Sequence, residues 1–138
     1  MPETTQPPDR LASCECGALC LHVTAAPVHG CTCAPCQRGN GSVMKLSAWF
    51  PEDAVRVDGA LTTLFCAGTD DAAVTTCFCP TCGGGRFFRT EYDLRGTIGI
   101  VLGAFADPAF PAPDHIHWWP DRPHWSGMPL GPTLLEGN

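Results

Sequence analysis

Cys31-Thr32-Cys33-Ala34-Pro35-Cys36 places three cysteines within one short stretch, and a further cysteine cluster lies on each side of it. Cys14-Glu15-Cys16 precedes this stretch, and Cys79-Pro80-Thr81-Cys82 follows it. Spacings this short direct several sulfur atoms to one point, as a tetrahedral zinc ion requires. Two cysteines one residue apart cannot bridge each other without severe strain, which argues against disulfides. The sequence therefore predicts zinc binding, and a disulfide-bonded secreted domain is the alternative.

The length and composition indicate one domain built from short strands and turns. The chain has 138 residues, of which 44% are hydrophobic, and it contains 15 glycines and 14 prolines. No stretch of about 18 uncharged apolar residues occurs, so we expect no membrane span. Residues 1–10 carry acidic residues and prolines where a signal peptide has a basic and then an apolar region. We therefore expect a cytoplasmic location, where clustered cysteines bind metal more often than they form disulfides.

The charge of the chain argues against a nucleic-acid partner. The formal net charge is −6, with 8 basic residues against 14 acidic ones. A surface that binds a nucleic-acid duplex needs a basic stripe, and the sequence contains none. We therefore expect no nucleic-acid or membrane partner, while the oligomeric state stays open.

Outside the cysteine clusters, apolar and polar residues alternate in the way that is typical of β-strands. Leu19, Leu21 and Val23 would share one face of a strand, and Ile98 and Ile100 would share a face of another. No segment keeps a helical period over about 11 positions, so we predict an all-β fold of antiparallel sheets. The predicted strands are residues 18–23, 43–50, 55–57, 61–66, 74–78, 87–88, 97–102 and 115–119.

The two ends of the chain lack the alternation of apolar and polar residues that the middle of the chain shows. We predict a disordered N-terminal tail at residues 1–11, a zinc domain at residues 12–128 and an irregular C-terminal tail at residues 129–138. Residues 31–41 are predicted to form a metal-binding knuckle with room for one helical turn.

The seven clustered cysteines separate into a closed and an open metal site. Structural zinc sites have four protein ligands, whereas catalytic sites have three and keep one position open. The two outer clusters supply four thiolates, and the central cluster supplies three, with a vacancy that a substrate thiolate can fill. Cys77 stands beside the third cluster and remains a further possible ligand. The closed set is Cys14, Cys16, Cys79 and Cys82, and the open set is Cys31, Cys33 and Cys36.

Three motifs resemble those of one family, the glutathione-dependent formaldehyde-activating enzymes, which are grouped with the centromere protein V domain. Ser13-Cys14-Glu15-Cys16-Gly17-Ala18 resembles the first motif of the family, and Cys31-Thr32-Cys33-Ala34-Pro35-Cys36-Gln37-Arg38 resembles the second. Phe78-Cys79-Pro80-Thr81-Cys82-Gly83 resembles the third, and His115-Ile116 with Trp125 resembles the closing elements. Thr32 is a departure, because many members have histidine there.

The resemblance implies a fold, a metal content and an activity. The fold is the Mss4-like (β-tent) arrangement of antiparallel sheets held by zinc knuckles, with two zinc ions per chain at the sites above. The activity is condensation of glutathione with formaldehyde to S-hydroxymethylglutathione. We therefore hypothesise a zinc-dependent carbon–sulfur lyase or synthase that acts on a small-molecule substrate. Glutathione or another low-molecular-weight thiol would be the co-substrate.

Several side chains are candidates for substrate contacts. Glutathione has two carboxylates, so basic side chains must hold it, and Arg38 is favoured because it directly follows the second motif. His115 and His117 would share a strand face, and His115 could act as acid or base or fill the vacant zinc position. Packing of these histidines among the tryptophans is the alternative. The other basic candidates are Lys45, Arg86 and Arg89.

Three other functions stay open at this point. The same site could serve a lyase or isomerase that acts on a larger metabolite without glutathione. Both zinc ions could instead be structural, in a non-enzymatic zinc-binding module. A small oxidised extracellular domain is the remaining alternative, and reducing agent alone would unfold it.

Overall fold

The computed structural model describes residues 9–23, 28–67, 73–90, 96–127 and 133–137, and most of its regular structure is β. The described helix, α1, spans Ala34–Asn40, and short 3-10 helices span Glu52–Ala54, Leu102–Phe105 and Trp119–Asp121. The strands are β1 (Arg10–Ser13), β2 (Cys20–Val23), β3 (Val28–Cys31), β4 (Lys45–Pro51), β5 (Val55–Asp58), β6 (Thr62–Ala67), β7 (Ala73–Phe78), β8 (Phe87–Thr90), β9 (Thr97–Val101), β10 (His115–His117) and β11 (Thr133–Leu134).

Within the described residues these strands form two sheets, which confirms the predicted all-β class. The smaller sheet has the order β1-β2-β5, and the larger has the order β11-β10-β3-β4-β9-β8-β7-β6. Most neighbouring strands are antiparallel, as predicted, and β10 is the exception, because it runs parallel to both β3 and β11. Parallel neighbours need a long connection, and the chain passes through β4 to β9 before β10 returns to β3.

The alternating residues pack as the sequence predicted. Leu19 and Leu21 are fully buried, and Val23 is nearly so. Ile98 and Ile100 are also buried, and all five belong to one hydrophobic cluster. Burial of each large aliphatic side chain stabilises the fold by about 1.5–3 kcal/mol relative to exposure. These contacts hold the smaller sheet against the larger one.

Strands occur at both described ends of the chain, within the segments that the sequence predicts as tails. Arg10 and Leu11 lie in β1, where an ion pair joins Arg10 Nη1 to Asp107 Oδ2 at 2.8 Å. At the other end, β11 pairs with β10, and the Leu135 N–H donates to the Ile116 carbonyl at 2.9 Å. The contacts that hold these end segments join residues far apart in sequence, so no local sequence pattern predicts them. Residues 1–8 and 128–132 lie outside the described residues, so the domain division itself stays a prediction.

The knuckle and the last predicted strand also differ from expectation. Helix α1 has 7 residues instead of one turn and ends at Asn40. Its C-cap is Gly41, whose φ is 70° and whose N–H donates to the Gln37 carbonyl. Strand β3 was missed because four residues that include a glycine show too little alternation. Strand β10 ends at His117, two residues earlier than predicted, because Trp118 has a φ of 57°.

We expect Gly59→Ala to destabilise the domain by roughly 2–4 kcal/mol, because it combines left-handed strain with a steric overlap. Gly59 has a φ of 110°, and a Cβ there would lie 2.0 Å from the Ala18 carbonyl oxygen. Gly96→Ala is the matched control, because Gly96 has a φ of 80° but no described atom lies within 4 Å of its Cβ position. Urea unfolding of both variants measures the difference, and equal losses would contradict the overlap.

No helix in the described part of the chain is long and apolar enough to cross a membrane. Nine cysteines with described side chains are free thiols, namely Cys14, Cys16, Cys20, Cys31, Cys33, Cys36, Cys77, Cys79 and Cys82.

Candidate metal centres

Four cysteine sulfurs meet at the place where the first and third sequence clusters come together. The Sγ atoms of this closed group all lie within 4.8 Å of one another. Cys16 Sγ lies 3.6 Å from both Cys14 Sγ and Cys79 Sγ. Zinc–sulfur bonds of about 2.3 Å in a tetrahedron place sulfur atoms about 3.8 Å apart. The donor set therefore fits a zinc ion, with the members Cys14, Cys16, Cys79 and Cys82.

Two tight turns bring these sulfurs together. In the first turn, the Leu19 N–H donates to Cys14 Sγ at 3.2 Å. In the second turn, the Gly83 N–H donates to the Cys79 carbonyl at 2.9 Å. Gly85, with a φ of 67°, lets the two turns approach, because a Cβ there would lie 3.1 Å from Cys14 Cβ. The close approach of the two turns thus explains why glycine is required at Gly85, in the glycine-rich segment after the third cluster.

The thiols of the closed group compete for protons. Hydrogen bonding from the backbone of Cys16, and then of Gly84, lowers the pKa of Cys82 to about 6. The Ala18 backbone lowers the pKa of Cys16, but the neighbouring thiols outweigh it and raise that pKa to about 12. Four thiolates cannot share this space without a counter-charge, which a divalent cation supplies.

The second group consists of Cys31, Cys33 and Cys36, whose Sγ atoms also lie within 4.8 Å of one another. Cys31 ends β3, Cys33 is the N-cap of α1, and Cys36 lies in its first turn. All three are half-buried, and no fourth histidine, cysteine or carboxylate among the described residues joins them. Three convergent thiols can hold a metal ion and leave one coordination position for a further ligand.

Cys77 does not belong to either group. It is buried on β7 opposite Thr63 and Phe87, and its side chain lies in the hydrophobic cluster. Burial raises the pKa of its thiol. A buried neutral thiol behaves as a small hydrophobic side chain, so Cys77 is part of the core.

Lys45 gives the three-cysteine group a positive neighbour. Lys45 pairs with Cys31 across β3 and β4, and its Nζ lies 4.1 Å from the centre of the Phe88 ring. A hydrogen bond from Cys31 and then the charge of Lys45 lower the pKa of Cys36 to about 5, against the opposing effect of burial. The hydrogen bond to Cys36 and burial raise the pKa of Cys31. Negative charge is therefore favoured at Cys36.

Two of the three predicted arginines lie at helix α1. Arg38 is exposed in its last turn. Arg86 donates through Nη1 to the Gly39 carbonyl, which joins the segment before β8 to the end of the helix. Arg89 instead pairs with Glu52 at 3.1 Å on the exposed side of the large sheet. The structure thus places Arg38 on the helix that carries Cys36 and Arg86 in contact with the end of that helix, and it gives Arg89 a different partner.

A row of three histidines lies beside the second cysteine group, on β3 and β10. The ring centroids of His29 and His115 are 5.3 Å apart, and those of His29 and His117 are 6.0 Å apart. His117 is directly opposite Cys31, whereas His115 is opposite His29, two residue pairs away along the same strands. Burial, followed by the charges of His115 and His117, lowers the pKa of His29. Sequence reasoning missed His29, because only the parallel pairing of β10 brings it into the row.

Thr32, the residue that departs from the family motif, attaches the C-terminal segment to the knuckle. Its N–H donates to the His117 carbonyl at 3.1 Å, and its Oγ1 donates to the Trp118 carbonyl. Gln37 Nε2 donates to the Thr32 carbonyl at 2.6 Å and to the Asp121 carbonyl at 3.1 Å. These bonds bring Arg122, which was not among the predicted residues, to the knuckle side of the molecule.

A mostly β domain with two convergent cysteine groups belongs to the class of small β-domains whose cysteine clusters can bind metal ions. A family model described as "Glutathione-dependent formaldehyde-activating enzyme" matches residues 9–122. The chain belongs to this family, which confirms the resemblance and agrees with the Mss4-like fold. A search of the curated proteins found no match. Family membership indicates an enzyme of glutathione and formaldehyde chemistry with cysteine groups that can bind metal.

Proposed function

We propose that the chain is a zinc-dependent carbon–sulfur lyase or synthase that interconverts glutathione plus formaldehyde with S-hydroxymethylglutathione. The observation that carries the proposal is the group of Cys31, Cys33 and Cys36, which has three convergent sulfurs and no fourth ligand within the described residues. Family membership supports the choice of thiol and aldehyde. A second zinc ion would be held by the closed four-cysteine group, and we propose a cytoplasmic location.

The reaction forms one carbon–sulfur bond. The thiolate sulfur attacks the formaldehyde carbon, the carbonyl electron pair moves to oxygen, and that oxygen takes a proton to become the hydroxymethyl group. A zinc ion held by the three cysteines would supply a soft fourth position that keeps the thiol deprotonated and in place. Because the uncatalysed addition is easy, the protein contributes mainly by bringing the two reactants together.

Lys45 has an electrostatic role in this proposal. The three protein thiolates and a substrate thiolate give the site more negative charge than a divalent cation balances. The Lys45 ammonium acts on Cys36 from the neighbouring strand and offsets part of this excess. Its charge also favours the approach of an anionic thiol to a protein whose net charge is −6.

The histidine row is the proposed source of the proton for the new hydroxyl group. The Nδ1 of His117 lies 3.1 Å from the Gly137 carbonyl, which can only accept, so the proton of the neutral ring is on Nδ1. His117 is paired with Cys31 across β10 and β3. His115, on the same face of β10, has a buried Nδ1 without a hydrogen-bond partner among the described residues. We assign acid–base catalysis to this pair, with His117 nearer the sulfur than the predicted His115.

The proposal predicts saturable acceleration of the exchange between formaldehyde and S-hydroxymethylglutathione, measured by NMR at equilibrium with ¹³C-formaldehyde. Arg38→Ala should raise the KM for glutathione about 10-fold with little change in kcat, because Arg38 would contact a carboxylate. Arg89→Ala is the control, since it removes the same charge from a side chain that pairs with Glu52.

Two outcomes separate the alternatives. If the protein accelerates the exchange but Arg38→Ala and Arg89→Ala change its KM for glutathione equally, the result would support the alternative function. In that alternative, the same metal centre acts on a substrate other than glutathione. A protein that binds two zinc ions and shows no acceleration with any small thiol would be a non-enzymatic zinc-binding module.

A further inference from the structure

Three residues form one row across strands β8, β9 and β4 of the large sheet. Phe88 pairs with Gly99, and Gly99 pairs with Trp49. Because glycine has no side chain, the two aromatic rings meet above it, with their centroids 5.0 Å apart and an interplanar angle of 78°. A Cβ at Gly99 would lie 2.5 Å from Phe88 Cε2 and 2.9 Å from Trp49 Cη2, so the pair of rings requires glycine at this position.

The ring of Phe88 also contacts Lys45, the only lysine of the chain. Lys45 lies four residues before Trp49 on β4, so the two side chains share one face of the sheet. The Nζ of Lys45 lies 4.1 Å from the centre of the Phe88 ring, which is a cation–π contact. Among the described residues, no carboxylate forms an ion pair with Lys45. Phe88 is only 3% exposed, so packing fixes its ring and the ring restrains the ammonium.

The position of this ammonium matters because Lys45 also faces the three-cysteine group. It is directly opposite Cys31 across β3 and β4. A hydrogen bond from Cys31 and then the charge of Lys45 lower the pKa of Cys36. The flexible four-carbon stem of a lysine samples many positions unless a contact restrains it. The contact with Phe88 therefore decides how much of the time the charge lies near the sulfurs.

We infer that Phe88 is a positioning residue, whose ring holds the Lys45 ammonium beside the three-cysteine group. Gly99 leaves the space for this ring, and Trp49 packs against it. The consequence is selection by charge, because a fixed ammonium favours an anionic ligand over a neutral one at the remaining coordination position. This inference rests on the proposed function, and it identifies side chains outside the cysteines that make the site select a deprotonated thiol.

NMR of the zinc-loaded protein labelled with ¹³C-lysine tests the contact, because a single lysine gives one Hε–Cε signal. Protons above an aromatic ring are shifted upfield, so we expect this signal upfield of its position in the unfolded protein. Phe88→Leu should return it to the unfolded position. Phe87→Leu is the matched control, because Phe87 is also buried but lies on the opposite face of β8, in the hydrophobic cluster. It should leave the lysine signal in place.

Titration of the cobalt-substituted protein with thiocyanate and with neutral imidazole tests the selection by charge. Phe88→Leu should weaken thiocyanate binding about 3- to 10-fold and leave imidazole binding unchanged. Lys45→Met should weaken thiocyanate binding at least as much, and Phe88→Leu should add nothing to it, because both changes remove the same interaction. Equal weakening of both probes, or an added loss in the double variant, would mean that Phe88 is merely structural and would overturn the inference.

An unshifted lysine signal in wild type, or equal movement of that signal in Phe87→Leu and Phe88→Leu, would also overturn it. If Phe88→Leu does not fold, wild type carries the test, through nuclear Overhauser contacts between the Lys45 Hε protons and the Phe88 ring. Their absence would contradict the positioning role. The ¹³C-formaldehyde exchange, measured in parallel, tests the proposed function. Normal exchange with an unshifted lysine means that only the positioning role fails, whereas a shifted lysine without exchange means that the proposed function fails and the contact stands.

Discussion

Cys79→Ser is expected to unfold the domain, which is the largest effect of any single substitution proposed for this chain. Cys79 is fully buried, and its sulfur is one of four that meet in the closed group. Binding of structural zinc contributes about 10–16 kcal/mol to folding in small zinc domains. That is as large as the whole stability of a typical domain, about 5–15 kcal/mol.

The position of this group explains why its loss should not stay local. Cys14 and Cys16 follow β1, which belongs to the smaller sheet, and Cys79 follows β7 in the larger one. One zinc ion would therefore hold together two sheets whose strands share no hydrogen-bonded ladder among the described residues. Without it, four thiols remain crowded within 4.8 Å, and the turns that carry them lose their common attachment.

The measurement is zinc per chain by elemental analysis, together with far-ultraviolet circular dichroism, for wild type and variant. Cys20→Ser is the matched control, because Cys20 contacts Ser13 in the same region but lies outside both groups. Wild type and Cys20→Ser should stay folded, and Cys79→Ser should show a disordered spectrum. A Cys79→Ser protein with a native spectrum and one zinc ion fewer would show that this site is dispensable for folding.

Cys33→Ser should abolish catalysis while the fold remains. The substitution removes one of three ligands, and we expect zinc to fall from about two ions per chain to about one. Exchange activity should drop by about two orders of magnitude or more, toward the uncatalysed rate. Cys33 is the N-cap of α1, where serine is among the preferred residues, so the helix should be kept.

Two further variants make this result specific. Cys36→Ser should show the same loss of one zinc ion and of activity, since the two cysteines would bind the same metal. Cys77→Ser should keep both zinc ions, because Cys77 lies in the hydrophobic cluster outside both groups. Full activity in Cys33→Ser would place the reaction elsewhere on the protein, and loss of both zinc ions would show that the two sites are not independent.

Local sequence was enough to find the two cysteine groups and the strands that are buried on one face. Metal ligands one to three residues apart reach a common ion from a single turn, as in Cys31, Cys33 and Cys36, so their spacing carries the information. A two-residue alternation likewise identifies the buried face of a strand, as at Leu19 and Leu21. For the same reason, four-residue β3 and the strand portion of the N-terminal tail were missed, since each is too short for a pattern.

The sequence by itself thus determined the all-β class, the family and the cysteines that can hold metal, because these depend on spacing along the chain. Only the tertiary structure decided which distant segments meet. It set His117 opposite Cys31 through the parallel pairing of β10, and it removed Cys77 from the possible ligands by burial in the core. It also brought Arg122 to the knuckle through hydrogen bonds of Thr32 and Gln37 to a segment more than 80 residues away. Such contacts depend on the path of the whole chain, which no local spacing records.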